Sequence, residues 1–342
     1  MARRLIYRLT MIAVIGCVLL AACAYSIFLL PYFYHDPAGR VVTIPRGASF
    51  RSAVDSLASA HAIRSRWSFQ IAGRLLEYTK IIKTGKYLFI SGQSNFDILR
   101  DIRVGKSRLV IQVTIPEGWR MEQMARRYMH ELGIDSEKFM ALCHDSVFLH
   151  DRGIDSRSLE GYLMPETYAF YWQTDEREIL ERMLEGFKHF YNDTLLDRQQ
   201  GMNATQQEIL TFASIVEAES SVDDERPVIA GVYWNRLRKR MRLEADPTVQ
   251  YALGEGKRLN HRDLDFDSPY NTYRHYGLPP GPINNPGKSS IRAALFPQQN
   301  EYLYFVATGV GGHHFSKNFS DHQKNINKYH RIRRELLRVS KK

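Results

Sequence analysis

A continuous apolar segment near the N-terminus, residues 9–30, constrains the fold of this chain more than any other feature. It contains no charged residue, and as an α-helix it would be about 33 Å long, which matches the hydrocarbon core of a bilayer. Three arginines precede it, and an aromatic stretch at residues 31–34 follows it. Because positive charge is retained in the cytoplasm, the sequence predicts a cytoplasmic tail at 1–8, a transmembrane helix at 9–30 and an outward-facing remainder.

Two other targeting signals fit part of this segment. A cleaved signal peptide usually has a shorter apolar region. A lipoprotein signal would use Leu-Ala-Ala-Cys at residues 20–23 and place a lipid on Cys23. Residues 24–34 stay apolar and aromatic, however, where a lipoprotein normally carries a polar tether. An uncleaved single-pass anchor accounts for the whole segment, and a mature chain that begins at a lipid-modified Cys23 would contradict it.

Length and charge narrow the class of protein further. A chain of 342 residues is too long for one ordinary domain and predicts at least two modules. Much of the net charge of +10 comes from basic residues at the two ends, which is typical of termini in solvent or near anionic lipid. No nucleic-acid motif accompanies the charge, so we expect no nucleic-acid partner. Two of the three cysteines lie in the apolar segment, which excludes a disulfide framework.

An internal repeat marks the modules. Val-Thr-Ile-Pro-Arg-Gly at residues 42–47 recurs as Val-Thr-Ile-Pro-Glu-Gly at residues 113–118. Each copy predicts a short strand and a turn, then an amphipathic helix and a second helix. With a further strand and helix, the first copy predicts a small α+β subdomain at 41–108, after a linker at 31–40. It is either a common supersecondary unit or a LysM-like carbohydrate-binding subdomain, and the pattern alone does not separate these two.

The remainder, residues 109–338, predicts a second α+β domain. Thr205 and Glu208 form a predicted capping box that starts a helix there. Glu217 and Glu219 fall on opposite flanks of the apolar stripe of this helix, so at most one of them belongs to a site. The ordinary interpretation is that both are solvated flank charges. The predicted stripe consists of Ile209, Phe212, Ala213 and Val216.

A loop rich in proline lies downstream of these glutamates. Six of the thirteen prolines fall within residues 269–297, which favours a rigid, irregular backbone. Tyr-Asn-Thr-Tyr at residues 270–273 offers side chains that bind sugar hydroxyls and stack on sugar rings. An acid buried beside apolar residues has a raised pKa and suits proton transfer to a glycosidic oxygen. The sequence therefore favours Glu217 as a catalytic acid facing this loop.

A second carboxylate is needed for ordinary glycoside hydrolysis. The candidates are Asp246, Glu244, Glu219 and Glu166, and the sequence does not place any of them beside Glu217. A mechanism with a single carboxylate is sufficient if a group of the substrate acts as the nucleophile. The cluster of His313, His314 and His322 lacks the spacing of a metal site, so we expect no metal and a turn that supports the catalytic loop.

Several motifs occur together and in order, and through them the chain resembles the MltG (YceG-like) endolytic murein transglycosylases over nearly its whole length. These motifs are Ala-Ser-Ile-Val-Glu-Ala-Glu at 213–219, Asn-Arg-Leu at 235–237, Met-Arg-Leu at 241–243, Asp-Pro-Thr at 246–248, Tyr-Asn-Thr-Tyr at 270–273, Gly-Leu-Pro-Pro-Gly at 277–281, Asn-Pro-Gly at 285–287, Tyr-Leu-Tyr-Phe-Val at 302–306, and Gly-His at 312–313 with Phe315 and His322.

The resemblance implies an enzyme, without a cofactor, that cuts peptidoglycan glycan strands internally. Glu217 would protonate the oxygen between N-acetylmuramic acid and N-acetylglucosamine. As a carboxylate it would then accept the proton of the muramyl O6 hydroxyl, which closes a 1,6-anhydro ring. The substrate-binding residues implied with it are Ser220, Asn235, Asp246, Thr248, Tyr270, Asn271, Thr272 and Tyr273.

The resemblance also implies a place in the cell. It is the bacterial cytoplasmic membrane, with the N-terminus inside, a single-pass anchor and the catalytic domain facing the periplasm and cell wall. A peptidoglycan synthase would be a natural partner, although no residue argues for one. Two alternatives stay open: a hydrolytic muramidase that uses Asp246 as its second carboxylate, and a cell-wall binding protein without catalytic activity.

Overall fold

The structure is a computed structural model that describes residues 2–36, 38–220, 222–254 and 258–339. The first residue of the predicted cytoplasmic tail therefore lies outside the described residues. The chain divides into two compact units. The first unit comprises the chain up to Gln112 with Glu131–Ile134 and Ala169–Thr174, and the second comprises Val113–His130, Asp135–Tyr168 and the chain from Asp175 onward.

The described residues form mainly helices, with short strands paired in two-stranded sheets, so the fold is α+β, as predicted. The elements are α1 (Ala2–Phe28), β1 (Arg40–Ile44), α2 (Phe50–Ser59), α3 (Arg66–Leu75), β2 (Gly85–Phe89), α4 (Asn95–Val104), β3 (Val110–Thr114), α5 (Met121–Leu132), α6 (Ser136–Cys143), α7 (Ser146–Asp151), β4 (Thr167–Tyr171), α8 (Glu176–Phe190), α9 (Asp193–Gly201), α10 (Gln206–Glu219), α11 (Arg226–Arg238), α12 (Asp246–Leu253), α13 (Lys288–Leu295), β5 (Tyr304–Ala307), β6 (His313–Ser316) and α14 (Phe319–Val339).

The N-terminal apolar segment forms the helix α1, which is long and apolar enough to cross a membrane. It begins at Ala2 and ends at Phe28, so the residues predicted as a tail continue the helix. Flanking arginines do not interrupt the backbone hydrogen bonds of a helix, which accounts for the earlier start. Ile27 and Phe28 pack against the hydrophobic core of the first unit.

Segment 31–40, predicted as a linker, is attached to the first unit by hydrogen bonds. The Tyr32 N–H donates to the Gln93 carbonyl at 3.0 Å, and the Gly92 N–H donates to the Tyr32 carbonyl at 2.8 Å. The Tyr34 N–H donates to the Ser91 hydroxyl at 2.9 Å. Tyr32 and Tyr34, just beyond the candidate membrane helix, are therefore hydrogen-bonded to the first unit.

The first unit has the predicted order of strand, two helices, strand and a further helix. β1 and β2 pair antiparallel, with Val42 opposite Tyr87. Ser49 and Ser65 cap the starts of α2 and α3 through their hydroxyl oxygens. One face of each helix and the inner face of the sheet form the core. Its larger members are Val42, Ile44, Val54, Leu57, Phe69, Tyr87, Phe89, Ile98, Leu99 and Ile102.

The repeated motif has the same local structure in both copies. Gly47 and Gly118 both adopt the left-handed conformation, with φ of 73° and 74°. The helices α5 and α6 follow the second copy as predicted, and β3 pairs with β4. The predicted buried stripe of α5 is fully buried at Met124, Tyr128 and Leu132.

Helix α10 is central to the second unit, where it packs against α11, α12 and α13. Its capping box at Thr205 and Glu208 is present as predicted. The predicted single buried stripe was too narrow, because every residue from Ile209 to Val216 is buried. The hydroxyls of Thr211 and Ser214 donate to backbone carbonyls of the same helix. Each buried hydroxyl therefore has a hydrogen-bond partner within α10.

The proline-rich segment is only partly irregular. Helix α13 lies within it, between Pro286 and Pro297, and packs against α10 and α11. The two prolines bracket the helix because proline is poorly tolerated in a helix interior. The prediction of a long loop without secondary structure was therefore wrong for residues 288–295.

Candidate active site

Glu217 lies in the last turn of α10, and its side chain is 6% exposed. Both carboxylate oxygens accept hydrogen bonds. Oε1 accepts from Arg226 Nη2 at 2.8 Å, and Oε2 accepts from the Gly287 N–H at 2.9 Å. These donors hold the carboxyl group in a single orientation at the end of a rigid helix.

The segment that carries Gly287 is fastened to α10. The Ile283 N–H donates to the Ser214 hydroxyl at 3.0 Å, and the Asn284 side chain donates to the Ser214 carbonyl at 2.9 Å. Ser214 lies about one turn before Glu217 on the helix. Its side chain and carbonyl therefore fix where the backbone passes the acid.

Asn285, which is fully buried, joins three segments beside Glu217. Its backbone carbonyl accepts from the Gly118 N–H at 2.9 Å. Its side-chain oxygen accepts from the Gly161 N–H at 2.8 Å, and its side-chain nitrogen donates to Glu160 at 2.6 Å. An asparagine satisfied on both sides in this way specifies the loop geometry that brings the Gly287 N–H to the acid.

Glu160, the hydrogen-bond partner of Asn285, is a buried carboxyl that is 2% exposed. It also accepts a hydrogen bond from the Met121 N–H at 3.3 Å. Burial, with a smaller contribution from Glu122, raises the pKa of Glu160 to about 8. At neutral pH this carboxyl is therefore largely protonated.

Arg226, at the start of α11, is 5% exposed and faces three carboxylates. It contacts Glu217, Asp223 at 2.6 Å and Glu117 at 3.5 Å. Its Nε also donates to the Ser220 carbonyl at 3.3 Å. A buried guanidinium with such partners is a fixed positive charge beside the acid.

Glu117 belongs to this site although the sequence analysis did not predict it. The signal was present in the repeat, where Arg46 occupies the equivalent position of the first copy. Close packing fixes its surroundings. A Cβ atom added to Gly287 would lie 1.9 Å from the Glu117 carboxyl, and one added to Gly118 would lie 3.4 Å from Cγ of Glu217.

Opposing effects set the protonation of Glu217. Burial is the largest, and it raises the pKa of Glu217 above its ordinary value; Glu117 adds to the rise. The Gly287 N–H, Arg226 and the fully buried Ser290 hydroxyl oppose it. The group can therefore hold a proton more readily than an exposed glutamate, and its carboxylate form still finds donors in place.

Glu219 points into different surroundings, as the helical spacing predicts. Its Oε1 accepts from the Tyr233 hydroxyl at 2.6 Å. It lines a polar cavity of about 270 Å³ with Arg236, Asp246 and Tyr273 among the other lining residues. Burial raises the pKa of Glu219 to about 7. Glu217 and Glu219 thus lie in separate environments with different hydrogen-bond partners.

The cavity collects part of the predicted substrate-binding set. The Tyr273 hydroxyl donates to Asp246 Oδ1 at 2.6 Å. Thr248 and Thr272 are close to this pair in the sequence; their hydroxyl oxygens lie 2.9 Å apart, and both side chains are buried. The Tyr270 ring lies 4.8 Å from the Tyr251 ring.

Other predicted binding residues use their polar groups within the protein. Asn271 donates to the carbonyls of Leu264 and Phe266, both at 2.8 Å. Asn235 donates to the Tyr302 carbonyl at 2.9 Å, and the Ser220 hydroxyl accepts from the Val222 N–H at 3.0 Å.

The other candidate carboxylates have partners of their own. Glu166 pairs with Lys288, and Glu244 pairs with Arg236 at 3.1 Å. Asp246 is held by Tyr273 in the cavity that Glu219 lines. The carboxylates that share a cation with Glu217 are Glu117 and Asp223.

The histidines take supporting positions. His313 Nδ1 lies 2.7 Å from Glu225 Oε2, and the His313 N–H donates to Glu225 Oε1 at 2.8 Å. Because Glu225 directly precedes Arg226, this pair ties β6 to the start of α11. The ring of His322 stacks on Tyr304. Within residues 2–36, 38–220, 222–254 and 258–339, no group of three or more His, Cys, Asp or Glu side chains could hold a metal ion.

Comparison with known proteins shows relatives that are similar to this chain over most of its length. A Bacillus subtilis protein named endolytic murein transglycosylase is 32% identical over 309 residues, covering 84% of each chain. A Streptococcus pneumoniae protein of the same name is 29% identical over 334 residues, which cover 87% of this chain and 60% of that protein. The chain thus spans about three fifths of the pneumococcal relative.

A solved structure shares the fold. The crystal structure of a YceG-like protein from Listeria monocytogenes is 33% identical and aligns with a TM-score of 0.59, covering 83% of this chain and 97% of that one. A model of the YceG-like family matches residues 42–328, which is most of the chain. The protein described here belongs to the YceG-like family.

Proposed function

We propose that this protein is a membrane-anchored lytic transglycosylase that cuts the glycan strands of murein internally, with Glu217 as its acid and base. The names of its relatives support the reaction. The observation that carries the residue assignment is the environment of Glu217, which is buried and yet holds a hydrogen-bond donor at each oxygen. Burial therefore favours the protonated form of Glu217, and the two donors stabilise its carboxylate form.

In the first step, protonated Glu217 donates its proton to the glycosidic oxygen between N-acetylmuramic acid and N-acetylglucosamine. The bond from muramyl C1 to that oxygen breaks, and the N-acetylglucosamine part leaves with a free hydroxyl group. Positive charge develops at C1 in the transition state. Arg226 and the Gly287 N–H stabilise the carboxylate that remains on Glu217.

In the second step, the muramyl O6 hydroxyl attacks C1 and forms the 1,6-anhydro ring. Its proton passes to the Glu217 carboxylate, which restores the acid. No water is consumed, and one carboxyl group serves both steps. The raised pKa favours the first step, and the surrounding donors favour the intermediate state, so neither protonation form is trapped.

Replacement of Glu217 tests this assignment. Glu217→Gln keeps the size of the side chain and one acceptor oxygen but has no proton to exchange, so we expect a fold like that of the wild type and a loss of cleavage of ~10²-fold or more. The measurement is mass analysis of products from un-crosslinked glycan strands. Glu178→Gln, at an exposed position of α8, is the matched control. Cleavage by Glu217→Gln at the wild-type rate would end the proposal.

A hydrolytic muramidase is the second candidate, and the observation in its favour is the pair of carboxylates, Glu117 and Glu217, that share Arg226. It would leave reducing ends, each one water heavier than an anhydro end. Asp246, the partner first considered, is engaged with Tyr273. Binding of intact glycan by both the wild type and Glu217→Gln, with no product from either, would instead favour a non-catalytic binding protein.

The anchor and its direction complete the proposal. Helix α1 would cross the bacterial cytoplasmic membrane once, with Arg3, Arg4 and Arg8 inside and the catalytic unit in the periplasm. The first unit would contribute a LysM-like glycan-binding surface, and a peptidoglycan synthase would supply strands. Protease protection of spheroplasts tests the direction, since protection of the catalytic unit from external protease would contradict it.

A further inference from the structure

The end of helix α1 packs against the core of the first unit. Ile27 and Phe28 pack against that core, and the Asn95 side chain donates to the Ile27 carbonyl at 2.7 Å. Just beyond the helix, Arg64 Nη2 donates to the Pro31 carbonyl at 3.2 Å. The unit is therefore fastened to α1 at the point where the helix would leave the membrane.

Helix α3 packs directly beside α1. Packed helices lie about 8–10 Å apart, so α3 lies within one helix diameter of the proposed anchor. Its inner face, Phe69, Ala72 and Gly73, is buried in the core. Its outer face carries Trp67 and Leu75, which are each 67% exposed.

The outer face of α3 is amphipathic in a way that suits a lipid surface. Trp67, Ile71, Arg74 and Leu75 follow the spacing of one helical face. Exposed arginines flank the apolar side chains. Tryptophan and arginine both place an apolar part in lipid and a polar part at the head groups. Helices of this composition lie flat at the boundary between head groups and acyl chains.

The net positive charge of the first unit also favours contact with a lipid surface. Residues 31–112 contain thirteen Lys and Arg and five Asp and Glu, a net charge of +8, while the whole chain carries +10. The basic excess therefore lies in residues 31–112 as well as at the chain ends. Anionic head groups attract such a surface when it lies within a Debye length. The exposed cations on and beside α3 are Arg64, Arg66, Arg74 and Lys80.

We propose that the outer face of α3 lies in the membrane interface, with Trp67 and Leu75 among the upper acyl chains and the neighbouring arginines at lipid phosphates. The first unit would then rest on the membrane beside its own anchor. This inference rests on the proposed membrane anchor. It also holds if the chain is attached by a lipid on Cys23, because Ile27 and Phe28 still pack against the core in that case.

An exposed tryptophan could instead stack on a sugar ring, as a glycan-binding surface would require. Two observations favour lipid: the closeness of α3 to the end of α1, and the arginines on both sides of Trp67. Binding of glycan at this face would therefore contradict the inference.

Quenching of Trp67 by brominated lipids tests the inference in the full chain. The protein is reconstituted in vesicles that contain anionic lipid, with and without bromine on the upper acyl chains. The difference between the wild type and Trp67→Leu isolates the emission of Trp67 from that of Trp119, Trp172 and Trp234. We expect the Trp67 emission to be lost in brominated vesicles, and Arg74→Gln to restore part of it.

The control moves the tryptophan within the same unit. In the Trp67→Leu background, Val41→Trp places the probe on β1, at a position that is 55% exposed. We expect the emission of this probe to persist in brominated vesicles. Equal quenching at both positions would show only general contact with lipid and would overturn the assignment to α3.

Flotation of the same vesicles separates the two proposals. If the protein floats with the vesicles and Trp67 emission is unchanged by bromine, the interface assignment is wrong while the anchor stands. If the protein does not float, the anchor fails and the inference fails with it. If soluble glycan strands change the emission of Trp67 and brominated lipid does not, the face binds glycan and the inference is also wrong.

Discussion

At the scale of single residues, the role that we propose for Glu217 requires it to hold a proton and then accept one. Burial and Glu117 raise its pKa, while Arg226 and the Gly287 N–H lower it. A carboxyl group with only the first influence would be a poor base, and one with only the second would be a poor acid. The balance between them is therefore the property that mutations around the site should disturb.

Glu117→Gln should shift the pH profile of cleavage. The proposed reaction needs protonated Glu217, so activity should fall as the pH rises through its raised pKa. Removing the Glu117 charge removes one cause of that rise, and this limb of the profile should move to lower pH. Above the pKa we expect a loss of ~3- to 10-fold, as for a charge interaction of about 1 kcal/mol. The measurement is the cleavage rate against pH.

Two further variants check the sign of this effect. Asp223→Asn removes a carboxylate from the same guanidinium, but this side chain is 71% exposed, so a much smaller shift is expected. Arg226→Gln removes a charge that lowers the pKa of Glu217, and the limb should move to higher pH. Shifts of Glu117→Gln and Arg226→Gln in the same direction would contradict the account.

Glu160 should make stability depend on pH. Its pKa in the folded state is about 8, above the ordinary 4.5, so the folded state binds the proton more tightly. The resulting stability is complete below pH ~4.5 and is lost as the pH rises through about 8. Glu160→Gln keeps the acceptor for Asn285 without a charge. The variant should therefore lose less stability than the wild type between about pH 5 and pH 8, by a few kcal/mol at most.

Denaturant unfolding at both pH values checks this prediction. Glu178→Gln, at an exposed position, should lose as much stability between these pH values as the wild type does. An equal loss of stability with pH in Glu160→Gln and the wild type would show that Glu160 does not titrate in this range.

At the scale of elements, the approach of the proline-rich segment to α10 determines which groups face Glu217. Gly287 caps α13 with φ of −74°, a conformation open to any residue. It must nevertheless be small, because a Cβ atom would overlap the Glu117 carboxyl. Glu117 is 43% exposed and can rotate into solvent.

Gly287→Ala should therefore act through Glu117. We expect the pH profile of Gly287→Ala to move in the same direction as that of Glu117→Gln, with little change in stability. The double variant should be no worse than the worse single variant, because both remove the same contact. Gly201→Ala, where an added Cβ meets nothing within 4 Å, is the control. Additive effects in the double variant would rule out this route.

Some of the elements could be predicted from local patterns. The repeat gave strands and helices in both copies, and the capping box placed the start of α10. The position of α13 was missed because prolines dominate its flanks. The burial of α10 on all sides was missed because Thr211 and Ser214 appear polar in sequence but satisfy their hydroxyls within the helix.

At the scale of the whole molecule, the sequence supplied the candidate acid but not its neighbours. Glu117 and Arg226 reach Glu217 from segments that are 100 and 9 residues away in the chain. Such contacts depend on how segments pack, which a single sequence does not reveal. Asp246 and Tyr273 were placed near the acid by resemblance, and in the structure they line the cavity of Glu219.

Cleavage in water labelled with oxygen-18 tests most directly the claim that one carboxyl group performs the reaction with O6 as nucleophile. Glycan strands are digested by the full-length protein, and the new muramyl ends are examined by mass spectrometry. We expect ends that are one water lighter than reducing ends and carry no label. Reducing ends that contain oxygen-18 would show that water attacks C1, and would replace the transglycosylase with a hydrolase.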